Sequence, residues 1–416
     1  MDFRCPICVS IICFLFHFFS FVSGDVVAAP PPFTINQTSL LQYLGNITID
    51  LLALYAFGDS FIDPGNNNFL NTSLKSNFTS YGIDFDGKPN GRATNGRTVV
   101  DFIDFFSYML FTMSCTTNNV AQVAGLPFPP SALDIPEGHV LSLDEQIALF
   151  ENTTEDLKGQ LSNAESFAQH MSKSLFFFHI GSNDLGLYWD FERHSNYPAD
   201  NYSQLLIYEL STRLQKFYQL GARKFFVNNV SPIGCQPCNI VVLKPKTTQC
   251  DEERNTRILN FTKQIPPLLS HLQSTLPGSK FVLGDLYKFY EDVFASPASH
   301  GKVFMLSSSL CMHEVLQIKK ACCIDQFRNQ TRPCAPNLEP CKERNQHAYF
   351  DAHHPSESMH FVIARRFLKD SSVSSPINLL QLIQWVMTFV SYGIFTNQRI
   401  IKISTSIGRN YHVLAV

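Results

Sequence analysis

The sequence predicts an α/β fold, with a central parallel sheet covered by helices on both faces. Short apolar runs that end in polar or glycine-rich turns recur along the chain, as buried parallel strands require. Helical stretches separate them, so strand and helix alternate. No internal repeat or linker breaks the alternation. One domain is expected over residues 50–370 of the 416, followed by an atypical tail over 371–416.

The first strand is expected in "LLALYAFG" (51–58). A helix follows in "SLDEQIALFENTTEDLKGQL" (142–161), where Ser142 and Glu145 form a capping box. "SLFFFHIG" (174–181) reads as the second strand, and "NYSQLLIYELSTRLQKFYQLGA" (201–222) as an amphipathic helix with Gly221 as its C-cap. "RKFFVNNV" (223–230) and "SKFVLGD" (279–285) supply two more strands. Between them, "DEERNTRILNFTKQIPPLLSHLQSTLPG" (251–278) reads as helix, broken or kinked at Pro266-Pro267.

Charge excludes some functions. The formal net charge is -3 and the basic residues are scattered, so no nucleic-acid partner is expected. Phenylalanine is heavily used, with 37 residues. Residues 1–24 read as a signal peptide: Arg4 near the start, an apolar stretch from Ile7 to Val22, and small residues Val22 and Gly24 before a cleavage point. A second cleavage point lies near Ala28, and an uncleaved anchor is the alternative. A secreted, extracellular protein of the cell wall or apoplast is expected.

Secretion gives meaning to two other features. Glycosylation sequons stand at Asn36, Asn46, Asn71, Asn77, Asn152, Asn201, Asn260 and Asn329, which together with a signal peptide suggest a glycoprotein. Asn229 also fits the pattern but is expected to be buried. Cys235, Cys238 and Cys250 cluster, as do Cys322, Cys323, Cys334 and Cys341, and local disulfides are expected in an oxidising compartment. Cys322 and Cys323 are adjacent, so each needs a different partner. No paired Cys and His spacing points to zinc, and no metal or other cofactor is expected.

In open parallel sheets, ligands bind beyond the carboxyl ends of the strands. Ser60 lies just past one such end, in "FGDSFIDPGNNN", and "GSND" (181–184) lies just past another. A serine nucleophile needs a base, and the base needs an orienting carboxylate. "YFDAHHPSESMH" (349–360) supplies candidates: Asp351 and His354 are three apart and share a face in one turn. His353 is the rival base, less well spaced from Asp351. The Ser60 backbone N–H and the Asn183 side-chain amide are candidate oxyanion donors. Each motif alone has an ordinary reading: an N-cap at Ser60, a turn at Asp63-Pro64-Gly65, a surface pair at Asp351 and His354. Asn67, Asn68 and Asn95 to Arg97 stay ambiguous.

The ordered set "FGDSFIDPGNNN", "IGSND" and "DAHHP" resembles the plant GDSL esterase/lipase family of the SGNH hydrolases. "YGIDFDGKPNGRATNGRTVVDFI" (81–103) and "NVSPIGCQP" (229–237) resemble further family segments, and the likeness runs from Leu54 to Leu368. It implies a flavodoxin-like α/β/α sandwich without metal or organic cofactor. It also implies Ser60 as nucleophile, Asn183 as oxyanion donor, and Asp351 with His354 as the base pair. G-x-S-x-G is absent around Ser60, which argues against the classical α/β-hydrolase elbow. The expected activity is hydrolysis of small-molecule or lipid carboxylic esters, whether lipid, cuticle or acetylated cell-wall material. A catalytically weak binding glycoprotein and an acyltransferase are the alternatives.

The chain departs from the family in places. A third oxyanion donor, a glycine N–H in a segment resembling "NFASGG", is expected between "GLPFPPS" and "SLDEQI". Here Gly138 is the only glycine in that gap. "DFFSYMLFTMSCTTNNV" (104–120) and "KVFMLSSSLCMHEVLQ" (302–317) read as insertions, and errors of exon choice would account for all three departures. "INLLQLIQWVMTFVSYGIF" (377–395) is apolar but carries Asn378, Gln381 and Gln384, so no stable membrane insertion is expected. A helix packed on the domain and translated noncoding sequence are the other readings of that stretch.

Overall fold

The computed structural model describes residues 51–85, 87–110, 138–186, 199–243, 250–297, 317–327, 330–332 and 334–386. All of them belong to one compact unit, Phe33–Val416. Four strands form the centre of the sheet: β1 (Leu54–Gly58), β2 (Leu175–His179), β3 (Lys224–Asn228) and β4 (Lys280–Gly284). They run parallel in the order of the sequence, and their last residues Gly58, His179, Asn228 and Gly284 pair in register. Every loop that leaves a carboxyl end therefore starts from one straight edge. Ser374–Ser375 adds a short antiparallel strand beside β4. Among the described residues, β1 is the other edge.

Helices cover both faces. In chain order they are α1 (Val99–Leu110), α2 (Leu143–Gln160), α3 (Ala164–Lys173), α4 (Ala199–Gln219), α5 (Pro237–Leu243), α6 (Glu252–Thr262), α7 (Ile265–Thr275), α8 (Leu286–Ala295), α9 (Glu357–Lys369) and α10 (Leu379–Gln384). Alternate strand residues serve opposite layers, as the two-residue period demands. Leu54, Ala56, Phe177, Phe226 and Val282 pack with α1, α8, α9 and α10. Tyr55, Phe57, Phe176, Phe178, Phe225 and Phe281 pack with α2, α4, α6 and α7. Much of the phenylalanine goes here: Phe57, Phe178, Phe225 and Phe281 stack across four strands at 5.4, 6.1 and 4.3 Å between ring centres. Each such pair adds roughly 0.5–1.5 kcal/mol beyond its buried area.

The expected strands and long helices appear within a few residues of their predicted ends. Ser142 and Glu145 form the capping box, and Gly221, with φ of 111°, turns the chain after α4. The stretch 251–278 becomes two helices, with Pro266 and Pro267 in the first turn of α7, where a missing N–H costs nothing.

Two boundaries differ from expectation. The fold does not end at residue 370. The Ser374–Ser375 strand closes the sheet, and α10 buries Leu379, Leu380, Leu382 and Ile383 against the core. The Lys224 ammonium donates to the Ile383 carbonyl at 2.6 Å, tying that helix end to β3. Of 377–395, then, the first part is a helix packed on the domain, and residues from 387 lie outside the described ones. Residues 104–110, read as the start of an insertion, are the second half of α1. Phe106 is fully buried and meets the Phe361 ring edge-on at 5.9 Å. Residues 111–137 and 302–316 lie outside the described residues, and Cys115 and Cys311 with them.

Candidate active site

The loop after β1 carries Ser60. Gly58 is required by close approach: a Cβ there would stand 2.0 Å from the His179 carbonyl oxygen. On the open side of β1, the Gln146 carboxamide accepts from Gly58 N–H and donates to Gly58 C=O, both at 3.0 Å. One side chain from α2 thus stands in for a neighbouring strand and fixes the residue from which the serine turn departs. Asp59 then accepts the Phe61 N–H at 3.1 Å and closes the turn.

The partners come from the turn between the short strand His347–Tyr349 and α9. Ser60 Oγ lies 2.8 Å from His354 Nε2. His354 Nδ1 lies 2.8 Å from Asp351 Oδ2 and 3.0 Å from Oδ1. Asp351 is fully buried and saturated: Oδ1 accepts the backbone N–H of His353 and of His354 at 2.8 and 2.7 Å, and Oδ2 accepts the Tyr81 hydroxyl at 2.6 Å. Burial by itself would raise the Asp351 carboxyl. The charge and hydrogen bond of His354, with His353 and Tyr81 behind them, outweigh it and hold the group at about 2. Burial likewise opposes charge on His354, but Asp351 lifts its pKa above the ordinary histidine value. Asp351 therefore stays ionised, and His354 is a base strengthened by a fixed carboxylate.

His353, the rival, faces elsewhere. Its Nδ1 lies 3.2 Å from Cys238 Sγ, and burial drives the imidazole down to about 4. Cys238, the free cysteine among the described residues, has its thiol pushed up to about 12 by burial, so neither group is poised to ionise. The other clustered cysteines pair as Cys235–Cys250, Cys322–Cys341 and Cys323–Cys334, which separates the adjacent pair as expected.

Asn183 lies in the first turn of the helix that starts at Ser182, just past β2, whose last residue His179 is the register partner of Gly58 before the Ser60 loop. Its Nδ2 is buried and has no hydrogen-bond partner among the described residues. A buried N–H donor without a partner is costly, and here it stands on the strand edge where the serine turn departs. Gly138, the glycine left in the gap, has a structural reason to be there. It bridges to Thr72, its φ is 96°, and a Cβ would meet the Asn71 carbonyl at 2.6 Å.

The ambiguous polar residues turn out to be framework. Asp63 accepts N–H groups of Gly65 and Asn66 at 2.8 and 2.7 Å, as the turn reading expects. Asn67 donates to the Leu74 carbonyl and Asn68 to that of Asn90, which pins the loop after Ser60. Asn95 accepts the Glu357 N–H at 2.9 Å and donates to Asp84 at 2.7 Å. Arg97 pairs with the buried Glu357 at 2.8 Å, and Asp84 holds Arg344 through two hydrogen bonds of 2.8 Å. This network moors the start of α9, and with it the His354 turn, to the segment that follows the serine loop. Sequence reasoning missed Tyr81, Gln146 and Glu357. Tyr81 is 270 residues from Asp351, and no spacing rule links residues so far apart.

A hydroxyl, an imidazole and a carboxylate in series, on the carboxyl edge of a parallel sheet, are the features that define a serine hydrolase. Comparison with known proteins makes that class specific. A model of the GDSL-like lipase/acylhydrolase family matches residues 54–367. The chain is 31% identical over 390 residues to GDSL esterase/lipase At1g71691 of Arabidopsis thaliana, spanning 87% of this chain and 93% of that protein. It is 32% identical over 346 residues to GDSL esterase/lipase 7 of the same plant, spanning 79% and 91%. The chain belongs to the GDSL-like lipase/acylhydrolase family and has the SGNH hydrolase fold; at the level of the family it is a carboxylic ester hydrolase.

Proposed function

We propose that the protein is a secreted serine esterase that hydrolyses carboxylic esters, of lipid, cuticle or acetylated cell-wall type, through an acyl-enzyme on Ser60. The observation that carries this reading is the continuous relay from Ser60 Oγ through His354 to Asp351, at 2.8 Å per step. Ser60 attacks the ester carbonyl while His354 Nε2 takes its proton. Asp351 holds the Nδ1–H and stabilises the imidazolium that forms. The oxyanion is met by Asn183 Nδ2, which has no other partner among the described residues, and by the Ser60 N–H. Collapse expels the alcohol, protonated by His354. Water, deprotonated by the same imidazole, then releases the acid.

Secretion, with residues 1–24 as the signal peptide, is supported by three disulfides and by surface sequons. Asn71, Asn77, Asn152, Asn201 and Asn260 are all exposed, whereas Asn229 is buried with its amide donating to Asp285. No described helix is long and apolar enough to cross a membrane. The test is hydrolysis of a short-chain nitrophenyl ester by purified protein beside Ser60→Ala. Turnover that vanishes in the variant supports the serine mechanism. Equal background in both overturns it and favours a binding glycoprotein that keeps the fold.

A further inference from the structure

A second imidazole stands near the relay, and the reaction as drawn does not use it. His179 ends β2 and is 2% exposed. Its Nε2 is within hydrogen-bond distance of Ser182 Oγ at 3.2 Å, and Asp59 Oδ1 lies near it at 3.6 Å, beyond that reach. The Phe61 ring packs against it with 4.2 Å between ring centres. Asp59 and Phe61 flank Ser60, and Ser182 precedes Asn183. One buried ring therefore touches both neighbours of the proposed nucleophile and the residue before the proposed oxyanion donor. The backbone repeats the link, since the Asp59 N–H donates to the His179 carbonyl at 3.1 Å.

The chemistry of this ring is not that of a second base. Burial pushes its pKa below the ordinary histidine value, against the pull of Asp59, which favours the neutral ring. Asp59 adds to Asp351 in raising the pKa of His354. Among the described residues, nothing accepts a hydrogen bond from Asn183 Nδ2 to hold it in place. The aim of that amide depends on the turn it sits in, and Ser182 is where His179 grips that turn.

We propose that His179 is a positioning residue: its ring packs on Phe61 and its carbonyl holds the Asp59 N–H, while its Nε2 hydrogen-bonds Ser182, so that the Ser60 turn is tied to the helical turn of Ser182 and Asn183 and Ser60 Oγ and Asn183 Nδ2 converge on one ester carbonyl. The inference rests on the roles proposed above for Ser60 and Asn183. Misplacement of reacting groups by about 1 Å costs on the order of 100-fold in rate, which sets the scale of the effect.

The test measures kcat, KM and thermal midpoint for the full-length purified protein and for His179→Phe, His179→Gln, His179→Asn and Ser60→Ala, with a soluble nitrophenyl ester. Phe keeps the ring packed against Phe61 but has no polar atom. Gln carries its amide out to the Nε2 position, whereas Asn carries it only to the level of Nδ1. His179→Phe and His179→Asn are expected to lose on the order of 10- to 100-fold in kcat with KM unchanged, and His179→Gln to recover most of that loss. Wild-type kcat in His179→Phe overturns the inference, and so does an equal loss in Phe and Gln, since the ring would then act through packing alone. If the Phe variant does not fold, Gln against Asn decides: equal kcat in the two overturns the inference. Wild-type turnover in Ser60→Ala would be a different failure, that of the serine reading itself.

Discussion

At the carboxyl edge of the sheet, Asp351 meets His354 at 2.8 and 3.0 Å, while Asp59 meets His179 at 3.6 Å. Both pairs are a carboxylate beside an imidazole, yet their surroundings push the two rings in opposite directions. His354 keeps a side chain 21% exposed, and although burial opposes its charge, Asp351 with a smaller pull from Asp59 raises its pKa. His179 is sealed against Phe61, and burial outweighs its more distant partner, so its pKa falls. A proton acceptor needs a fixed charge in close contact and an open face toward the substrate. A ring that has neither can still hold two turns together. His353 makes the same point from next door, because it shares the Asp351 turn and spends its Nδ1 on Cys238.

Breaking the close pair should have the largest effect. His354→Gln removes the proposed base and is expected to cut kcat at least ~10⁴-fold in ester hydrolysis. Asp351→Asn keeps the shape but loses the charge, and a fall of about 10⁴ is expected. The pH profile sharpens this prediction. The base must be neutral to act, so wild-type activity falls with decreasing pH through a value above ~6.5, given the raised pKa of His354. In Asp351→Asn that acid limb should move to lower pH.

Smaller effects follow further from the pair. Asn183→Ala, which removes one proposed oxyanion donor, is expected to cost about 10²–10³ in kcat with little change in KM. His353→Gln should change kcat less than about tenfold, a barrier change under ~1.4 kcal/mol; a loss matching that of His354→Gln would reverse the assignment of the base.

Stability carries its own signature of the close pair. The Asp351 carboxyl, at about 2 in the fold, lies below its unfolded value of about 3.9. Its contribution is therefore present above ~4 and is lost as pH falls toward 2. His354 has the opposite sign: its contribution is full below ~6.5 and fades as pH rises through the raised pKa. Thermal midpoints of wild type and Asp351→Asn across both windows should differ most between them.

The same contrast explains what could be read from the sequence. Ser60, Asn183, Asp351 and His354 could be singled out as candidates because loops after parallel strands collect chemistry and because their motifs stand in a recognisable order. The four long strands were legible because runs such as "LFFFH" are apolar on both faces. Helix α9 was not, since it is buried nearly all round and has no polar face to set a period. Glu357 pairs with Arg97, and His360 Nδ1 accepts the Val99 N–H at 3.2 Å. The Ser374–Ser375 strand is too short to show alternation. Tyr81, Gln146 and His179 act through contacts that depend on tertiary placement, and their types alone say nothing of those partners.

The central claim is that Ser60 is an activated nucleophile, and covalent labelling tests it most directly. Purified protein would be treated with a fluorophosphonate ester, digested, and mapped by mass spectrometry. A single adduct on the peptide that carries Ser60, absent in Ser60→Ala and slow to form in His354→Gln, is the predicted result. An adduct on another residue, or none on a protein shown to be folded, would contradict the account.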